Sequence, residues 1–187
     1  MIRRGLHSAP ATTDPELIAR LAAGDIGALG ELYDRHRHAV RRFVARATSN
    51  AEDVDDLVHG TFLTAVKSAG RYDGRESARP WLIGVAVQLL RRRRRSFGRW
   101  LQILGALNSL RPNSEEQPSA RAARGELERA LARLSEAKRL TILLAEVEGW
   151  SCQEIAGFFQ IPIGTVWTRL HAARRELRRA LQGEPEP

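Results

Sequence analysis

Residues 151–179 read SCQEIAGFFQIPIGTVWTRLHAARRELRR, and they divide into two helices around a tight turn. Ser151 followed by Glu154 is a capping box, in which each side chain satisfies the other residue's backbone N–H at a helix start. Ile155, Ala156 and Phe159 continue at helical spacing. Pro162 lacks an N–H and biases Ile161 away from helical backbone, so the pattern breaks at 160–162. A second helix starts near Ile163, with Val166, Leu170, Ala173, Leu177 and Leu181 as its apolar stripe. Its opposite face carries Thr165, Trp167, Thr168, His171, Arg174, Arg175 and Arg178. A short helix, a three-residue turn and a longer basic helix predict a helix-turn-helix whose second helix enters the major groove of DNA. An ordinary αα-hairpin with a solvated basic face has the same spacing. Thr and His beside Arg favour DNA, because they can donate to phosphates and base edges.

Upstream, Leu127, Leu131 and Leu134 line one helix, and Ser135 breaks it. Leu140, Leu143, Leu144 and Val147 line the next, which Gly149 terminates. Residues 96–118 change character, with Gly98, Gly105, Pro112, Pro118 and a run of Asn, Ser and Glu, the composition of a domain linker. Trp100 to Leu104 can form one apolar turn inside it.

Before the linker, Ser77 caps a helix that accepts Pro80 in its first turn. Trp81, Leu82, Val85, Ala86, Leu89 and Leu90 form its apolar side, and it ends in five arginines, Arg91 to Arg95. Cations suit a helix C-terminus, but five in succession repel one another unless an anion neutralises them. The loop before it is polar, GRYDGRESAR at 70–79.

At the start of the chain, Asp14 caps a short helix with Pro15 in its first turn, ending near Ala23. Gly24-Asp25 breaks and recaps. The next helix buries Leu29, Leu32, Tyr33, His36, Val40, Phe43, Val44 and Ala47. Asn50 then caps a helix with Val54, Leu57, Val58, Phe62, Ala65 and Val66 inside and Asp53, Asp55, Asp56 and His59 outside. No segment alternates with period two. The fold expected is all-α, two small helical domains on a flexible linker: a disordered arm at 1–13, a first domain at 14–97, the linker at 98–118, a helix-turn-helix domain at 119–183 and a tail at 184–187.

The 187 residues carry a net charge of +8 and a pI near 11.0, which point to an acidic polymer as partner. Only Lys67 and Lys138 are lysines; arginine alone grips phosphate bidentately. A G+C-rich genome also raises the Arg share, but it does not cluster the charge. Cys152 is the single cysteine, so no internal disulfide or Cys-based zinc site forms, in keeping with a reducing cytoplasm. No apolar run approaches a membrane span, and Met1 to Thr13 lacks the apolar core of a secretory signal.

Two stretches carry a family likeness. Asp55-Asp56-Leu57-Val58-His59-Gly60-Thr61-Phe62-Leu63, with Arg71-Tyr72 and Pro80-Trp81-Leu82, resembles region 2 of bacterial sigma factors. Leu134 to Leu177, containing EGWSCQEIAGFFQIPIGTVWTRLHAARREL, resembles region 4 of the same sigma-70 family. Little else lies between them, as in the extracytoplasmic-function (ECF) group. The resemblance implies a transcription-initiation factor, not an enzyme, that binds core RNA polymerase through the β′ clamp helices and the β flap. It also implies promoter DNA and an anti-sigma factor as partners, and no cofactor, metal or membrane insertion.

Matching positions acquire roles from the resemblance. Asp53, Asp55, Asp56 and His59 would face the polymerase clamp; that face is acidic in a basic protein and would repel DNA. The loop from Tyr72 to Ser77 would capture an extruded base of the −10 element, since single-stranded bases are read by stacking and by their edges. The −10 set is Arg71, Tyr72, Asp73, Arg75, Ser77, Arg79, Trp81, Gln88, Arg91, Arg92 and Arg95. The −35 set is Thr165, Trp167, Thr168, Arg169, His171, Arg174, Arg175 and Arg178. The sequence departs from the family's usual residues at His59-Gly60, Gly84, Val87, Gln88, Gln160, Trp167 and Ala172. Gln160 replaces a frequent turn glycine and has to adopt left-handed backbone.

Other readings are set against this one. Asp34 with His38, and Asp55 with His59, lie four apart but have no third convergent ligand for a metal. Cys152 at a helix start is a candidate redox thiol. A sigma mimic that titrates an anti-sigma factor needs neither a basic recognition helix nor five arginines. A stand-alone helix-turn-helix regulator leaves the acidic face and the polar loop without a task.

Overall fold

The computed structural model describes residues 12–48, 50–105 and 125–182, with 94–105 described as helical backbone alone. Residues 1–11 of the expected arm, the tail at 184–187 and most of the linker lie outside these residues. The helices are α1 (Asp14–Ala22), α2 (Ile26–Ala47), α3 (Asp53–Ser68), α4 (Arg79–Gly105), α5 (Glu126–Arg133), α6 (Glu136–Glu146), α7 (Cys152–Phe159) and α8 (Ile163–Gln182), with a 3₁₀ turn at Ala69–Arg71 between α3 and α4. The described residues contain no strand, as the absent period-two pattern predicts.

In the first domain, α1 to α4 pack around Leu17, Leu32, Phe43, Val58, Phe62 and Leu82. The cap of α1 is Thr13 rather than Asp14: Thr13 exchanges hydrogen bonds with Glu16 in a capping box. Both residue types cap well, and Asp14 is instead drawn inward by basic partners from α2. Thr12 and Thr13, the last residues of the expected arm, are thus held to the first domain, the Thr12 carbonyl accepting a bond from Arg35. Asn50 accepts from the Glu52 N–H, so the expected capping residue closes the turn ahead of α3, which begins at Asp53. A Cβ at Gly60 would lie 2.8 Å from Leu89 Cδ2. The glycine that costs α3 about 1 kcal/mol in propensity thus lets α4 approach closely.

In the second domain, Ser151 and Glu154 form the expected capping box, and Gln160 adopts the expected left-handed backbone with φ 55° and ψ 50°. The Ile161 N–H reaches back to the Ala156 carbonyl, closing α7. Gly149, at φ +71°, follows α6, and the Trp150 N–H returns to Leu144. Val166, Leu170 and Ala173 are buried as their stripe predicts. Leu127, Val147 and Leu181, expected inside, are exposed. Leu127 sits in the first turn of α5 and Val147 caps the end of α6. Leu181 lies near the end of a 20-residue helix that packs on partners of 8 and 11 residues, so the stripe outlasts them.

The two domains share one continuous apolar cluster. Helix α2 meets α5 and α6, and Gly84 of α4 lies under Phe158 and Trp150 of the second domain. A flexible linker leaves the arrangement of the two domains open; here they are docked. Helix α4 also continues to Gly105, past the expected boundary at 97.

Candidate nucleic-acid interface

Helix α8 turns its stripe onto α6 and leaves the other face open. Trp167 is 58% exposed, and Thr168, His171, Arg174, Arg175 and Arg178 are exposed beside it. Thr168 donates its hydroxyl proton to the Gly164 carbonyl at 2.9 Å, which leaves the oxygen as an acceptor. Arg174 grips Glu146 at 2.5 and 3.0 Å and is held at the edge of the face. Thr165 and Arg169 are half-buried. The −35 set thus lies on one helix, with Arg169 turned toward the cleft that it shares with Arg91 of the first domain.

The polar loop has a built shape. Tyr72 meets Trp81 edge-on with ring centroids 5.2 Å apart, and its hydroxyl donates to the Arg75 carbonyl. Burial pushes the Tyr72 phenol up, and the neighbouring Asp73 and Asp14 charges add to this. Arg75 holds Asp73 at 2.6 Å. Ser77 accepts from the Arg79 N–H at 3.3 Å, as expected of a capping residue, although Ala78 is the last residue before the helix. Gly74 supplies a positive φ of 74° at the loop tip. Asp73, Arg75, Glu76 and Ser77 face solvent.

Three members of the −10 set face the second domain instead of solvent alone. Arg79 makes two bonds to Glu148, at 3.0 and 3.2 Å. Arg75 reaches Glu154 at 3.4 Å, and the Arg91 guanidinium lies 5.1 Å from the centre of the Phe159 ring. A cleft of about 420 Å³ opens between the domains, with Arg91 on one wall and Arg169 on the other. Arg71, Gln88 and Arg92 are exposed, while the Arg95 side chain lies outside the described residues. Gly84 and Val87, where the resemblance places basic residues, are buried.

The acidic face on α3 is partly engaged. Asp53 pairs with Arg93 at 2.5 Å and turns toward α4. Asp55 pairs with Arg41. Asp56 is exposed and makes no ion pair among the described residues. His59 stacks on Tyr33 with the rings 6° from parallel and 6.1 Å apart. Leu63, exposed on α3, extends this face with an apolar side chain. Asp34 binds Arg37 rather than a metal partner, and the described residues contain no cluster of three metal-ligating side chains.

The docking residues escaped the sequence reading. Phe158 and Phe159 had a signal, since two adjacent aromatics on an eight-residue helix cannot both face one core, whereas Glu148 and Trp150 had none. No helix among the described residues is long and apolar enough to cross a membrane.

Comparison with known proteins agrees with this layout. The family Sigma-70 region 2 matches residues 32–101, and the family Sigma-70, region 4 matches residues 124–177. The chain is 33% identical to the ECF RNA polymerase sigma factor SigL of Mycobacterium tuberculosis over 171 residues, covering 88% of this chain and 95% of SigL. It is 32% identical to RNA polymerase sigma factor CarQ of Myxococcus xanthus over 171 residues, covering 89% and 96%. Among solved structures, the sigma factor RpoE of Bartonella quintana, crystallised with the anti-sigma factor NepR, superposes with a TM-score of 0.66 at 21% identity. That match covers 84% of this chain and 98% of RpoE. Both sigma domains stand in family order over nearly the full length of these relatives, so the chain belongs to the ECF group of the sigma-70 family, whose members bind core RNA polymerase and direct promoter-specific transcription initiation.

Proposed function

We propose that the chain divides the work of promoter recognition between its halves. Residues 14–97 bind core polymerase and the −10 element, and residues 119–183 bind the −35 element. The observation that carries this reading is the separation of charge: Asp56 is bare on α3, while Trp167, His171, Arg175 and Arg178 are bare on α8. An acidic face repels DNA and suits a basic protein surface, such as the β′ clamp helices. A basic helix flanked by hydrogen-bonding side chains suits duplex DNA. The second domain would also rest on the β flap.

The loop from Tyr72 to Ser77 captures a base of the melted −10 strand, with the Tyr72–Trp81 pair as its apolar floor. Arg79, Arg91 and Arg92 then hold phosphates. Glu148 occupies the Nε and Nη2 edge of Arg79, so a phosphate competes with the seam for this guanidinium and promoter binding favours parting of the domains. An anti-sigma factor is a natural partner, as RpoE, a protein of the same fold, was crystallised in complex with the anti-sigma factor NepR. The protein acts where its polymerase is, in the cytoplasm, and performs no catalysis of its own.

The test is reconstitution. Purified chain added to core polymerase should yield defined transcription starts and permanganate-reactive thymines near them. Replacing residues 72–77 by a Gly/Ser linker should remove thymine reactivity and leave core binding intact. Normal melting with the replaced loop would exclude base capture there.

A further inference from the structure

One buried ionic group belongs to neither reading surface. Asp14 is 6% exposed, and three donors, two from α2 and one from the end of the polar loop, converge on its carboxylate. The Ala78 N–H reaches Oδ2 at 2.8 Å, His36 Nε2 reaches the same oxygen at 2.7 Å, and Arg35 Nη1 reaches Oδ1 at 2.6 Å. Arg35 extends the group to the Thr12 carbonyl at 2.8 Å. A carboxylate survives burial only when such donors replace its water.

Ala78 gives this cluster its meaning. It is fully buried, it is the last residue of the polar loop, and its carbonyl starts α4 by accepting from Leu82 at 2.9 Å. Alanine has no side chain with which to cap a helix. Ser77 serves the Arg79 N–H, and Asp14, 64 residues earlier in the chain, serves the Ala78 N–H. The loop is therefore pinned at both ends. Tyr72 seats its start on Trp81, and Asp14 fixes its end against α1 and α2. Between the pins, Gly74 makes the turn at φ 74° and Asp73, Arg75, Glu76 and Ser77 are exposed.

We infer that Asp14 is a positioning residue for base capture, setting the end of the Tyr72–Ser77 loop through the Ala78 N–H so that the loop holds one conformation for the extruded base. The inference rests on the proposal that this loop captures a base. Asp14 touches no DNA. Its part is preorganisation: a loop already in its bound shape does not spend binding energy on ordering.

The experiment uses holoenzyme reconstituted from core polymerase and the full chain. It selects from a single-stranded DNA library randomised over the −10 positions, at a temperature where circular dichroism shows every variant folded. Wild type should enrich one base strongly at one position. Asp14→Ala should reduce that enrichment at least tenfold while its affinity for core, by competition, and for −35 duplex stays within twofold. Asp14→Asn keeps an oxygen for the Ala78 N–H and should retain more of the enrichment than Asp14→Ala. Full enrichment by Asp14→Ala, beside loss of enrichment in the Gly/Ser loop variant, would overturn the positioning role and leave base capture standing. A parallel loss of core and −35 affinity would also overturn it, by assigning Asp14 to the fold in general. Equal enrichment by wild type and the loop variant would defeat base capture itself, and the inference with it.

Discussion

Glu148 holds Arg79 through both Nε and Nη2 of the guanidinium, at 3.0 and 3.2 Å, across the seam between the two domains. The Glu148 side chain is only 3% exposed, whereas that of Arg79 is 40% exposed. The acid is thus committed to the seam, and the base can leave for another anion. Glu148→Ala should weaken docking by about 1–2 kcal/mol, between the values for an exposed ion pair and a buried charged hydrogen bond. Small-angle scattering should record a larger radius of gyration for the variant in low salt. An unchanged radius would mean that the apolar contacts alone hold the seam.

Gly84 gives a steric test of the same seam. A Cβ there would lie 3.3 Å from Phe158 Cε2 and 3.7 Å from Trp150 Cη2. Gly84→Ala asks the ring to give by a few tenths of an ångström. Gly84→Ile should separate the domains, because an overpacked contact costs about 1–3 kcal/mol, and the seam yields before the first domain's core does. Resonance-energy transfer between dyes on α1 and α8 should fall for the isoleucine variant and stay near wild type for the alanine one.

On α3, Asp56 is the acid without an internal partner. Asp56→Arg should weaken binding to core polymerase at least tenfold, measured by competition against another sigma factor. Binding of the docked or undocked chain to −35 duplex should not change. Asp53→Ala should matter less to core, because Asp53 is occupied by Arg93. Equal effects of the two substitutions would remove this distinction.

Trp167 stands about one turn into α8 with most of its indole exposed. An indole can cover a thymine methyl but has one N–H donor, so it cannot make the bidentate guanine contact open to arginine. Trp167→Arg should shift the selected −35 sequence toward guanine at one position, with about 1–3 kcal/mol of discrimination. Losing Arg175 or Arg178 should instead weaken all duplexes alike and lower the salt slope by about one unit. Identical consensus sequences from wild type and Trp167→Arg would show that the indole does not read DNA.

Acid should act through Asp14. Burial raises its pKa, but the Ala78 N–H, Arg35 and His36 together outweigh burial and hold it below the ordinary 3.8. A lowered carboxylate pKa contributes stability that is present above the unfolded value and lost as pH falls through the folded one. Urea midpoints of the wild type should therefore drop below about pH 4 more steeply than those of Asp14→Asn. Parallel profiles would place the acid sensitivity elsewhere.

Residues near one another in sequence made much of this fold legible. The stripe of α8, the Ser151–Glu154 box and the left-handed Gln160 all follow from spacing and local backbone chemistry. The sequence was misleading where two neighbours were equally good at one task. Thr13 and Asp14 both cap helices, and only Arg35 and His36, brought alongside by the fold, decide that Asp14 turns inward. The basic and acidic faces were legible as composition, but their pairing was not. Arg79 with Glu148 and Arg91 with Phe159 join residues about 70 positions apart, and no periodicity encodes a meeting between two amphipathic domains. Gly60 and Gly84 read as departures from the family, yet each marks a place where another helix comes close.

The indole of Trp150 adds an optical consequence. It lies edge-on to Phe158 at 5.3 Å, and its Nε1 is buried with no hydrogen-bond acceptor. A buried donor without an acceptor carries a penalty of about 1–3 kcal/mol, and water relieves it once the domains separate. The same event moves the ring from an apolar to an aqueous surround, so its emission should shift to longer wavelength. Trp81, Trp100 and Trp167 and the polymerase's own tryptophans supply the background. Separation of the domains therefore reports its own rate in stopped-flow fluorescence when core polymerase is mixed with the chain, as the component of the signal that Trp150→Phe removes.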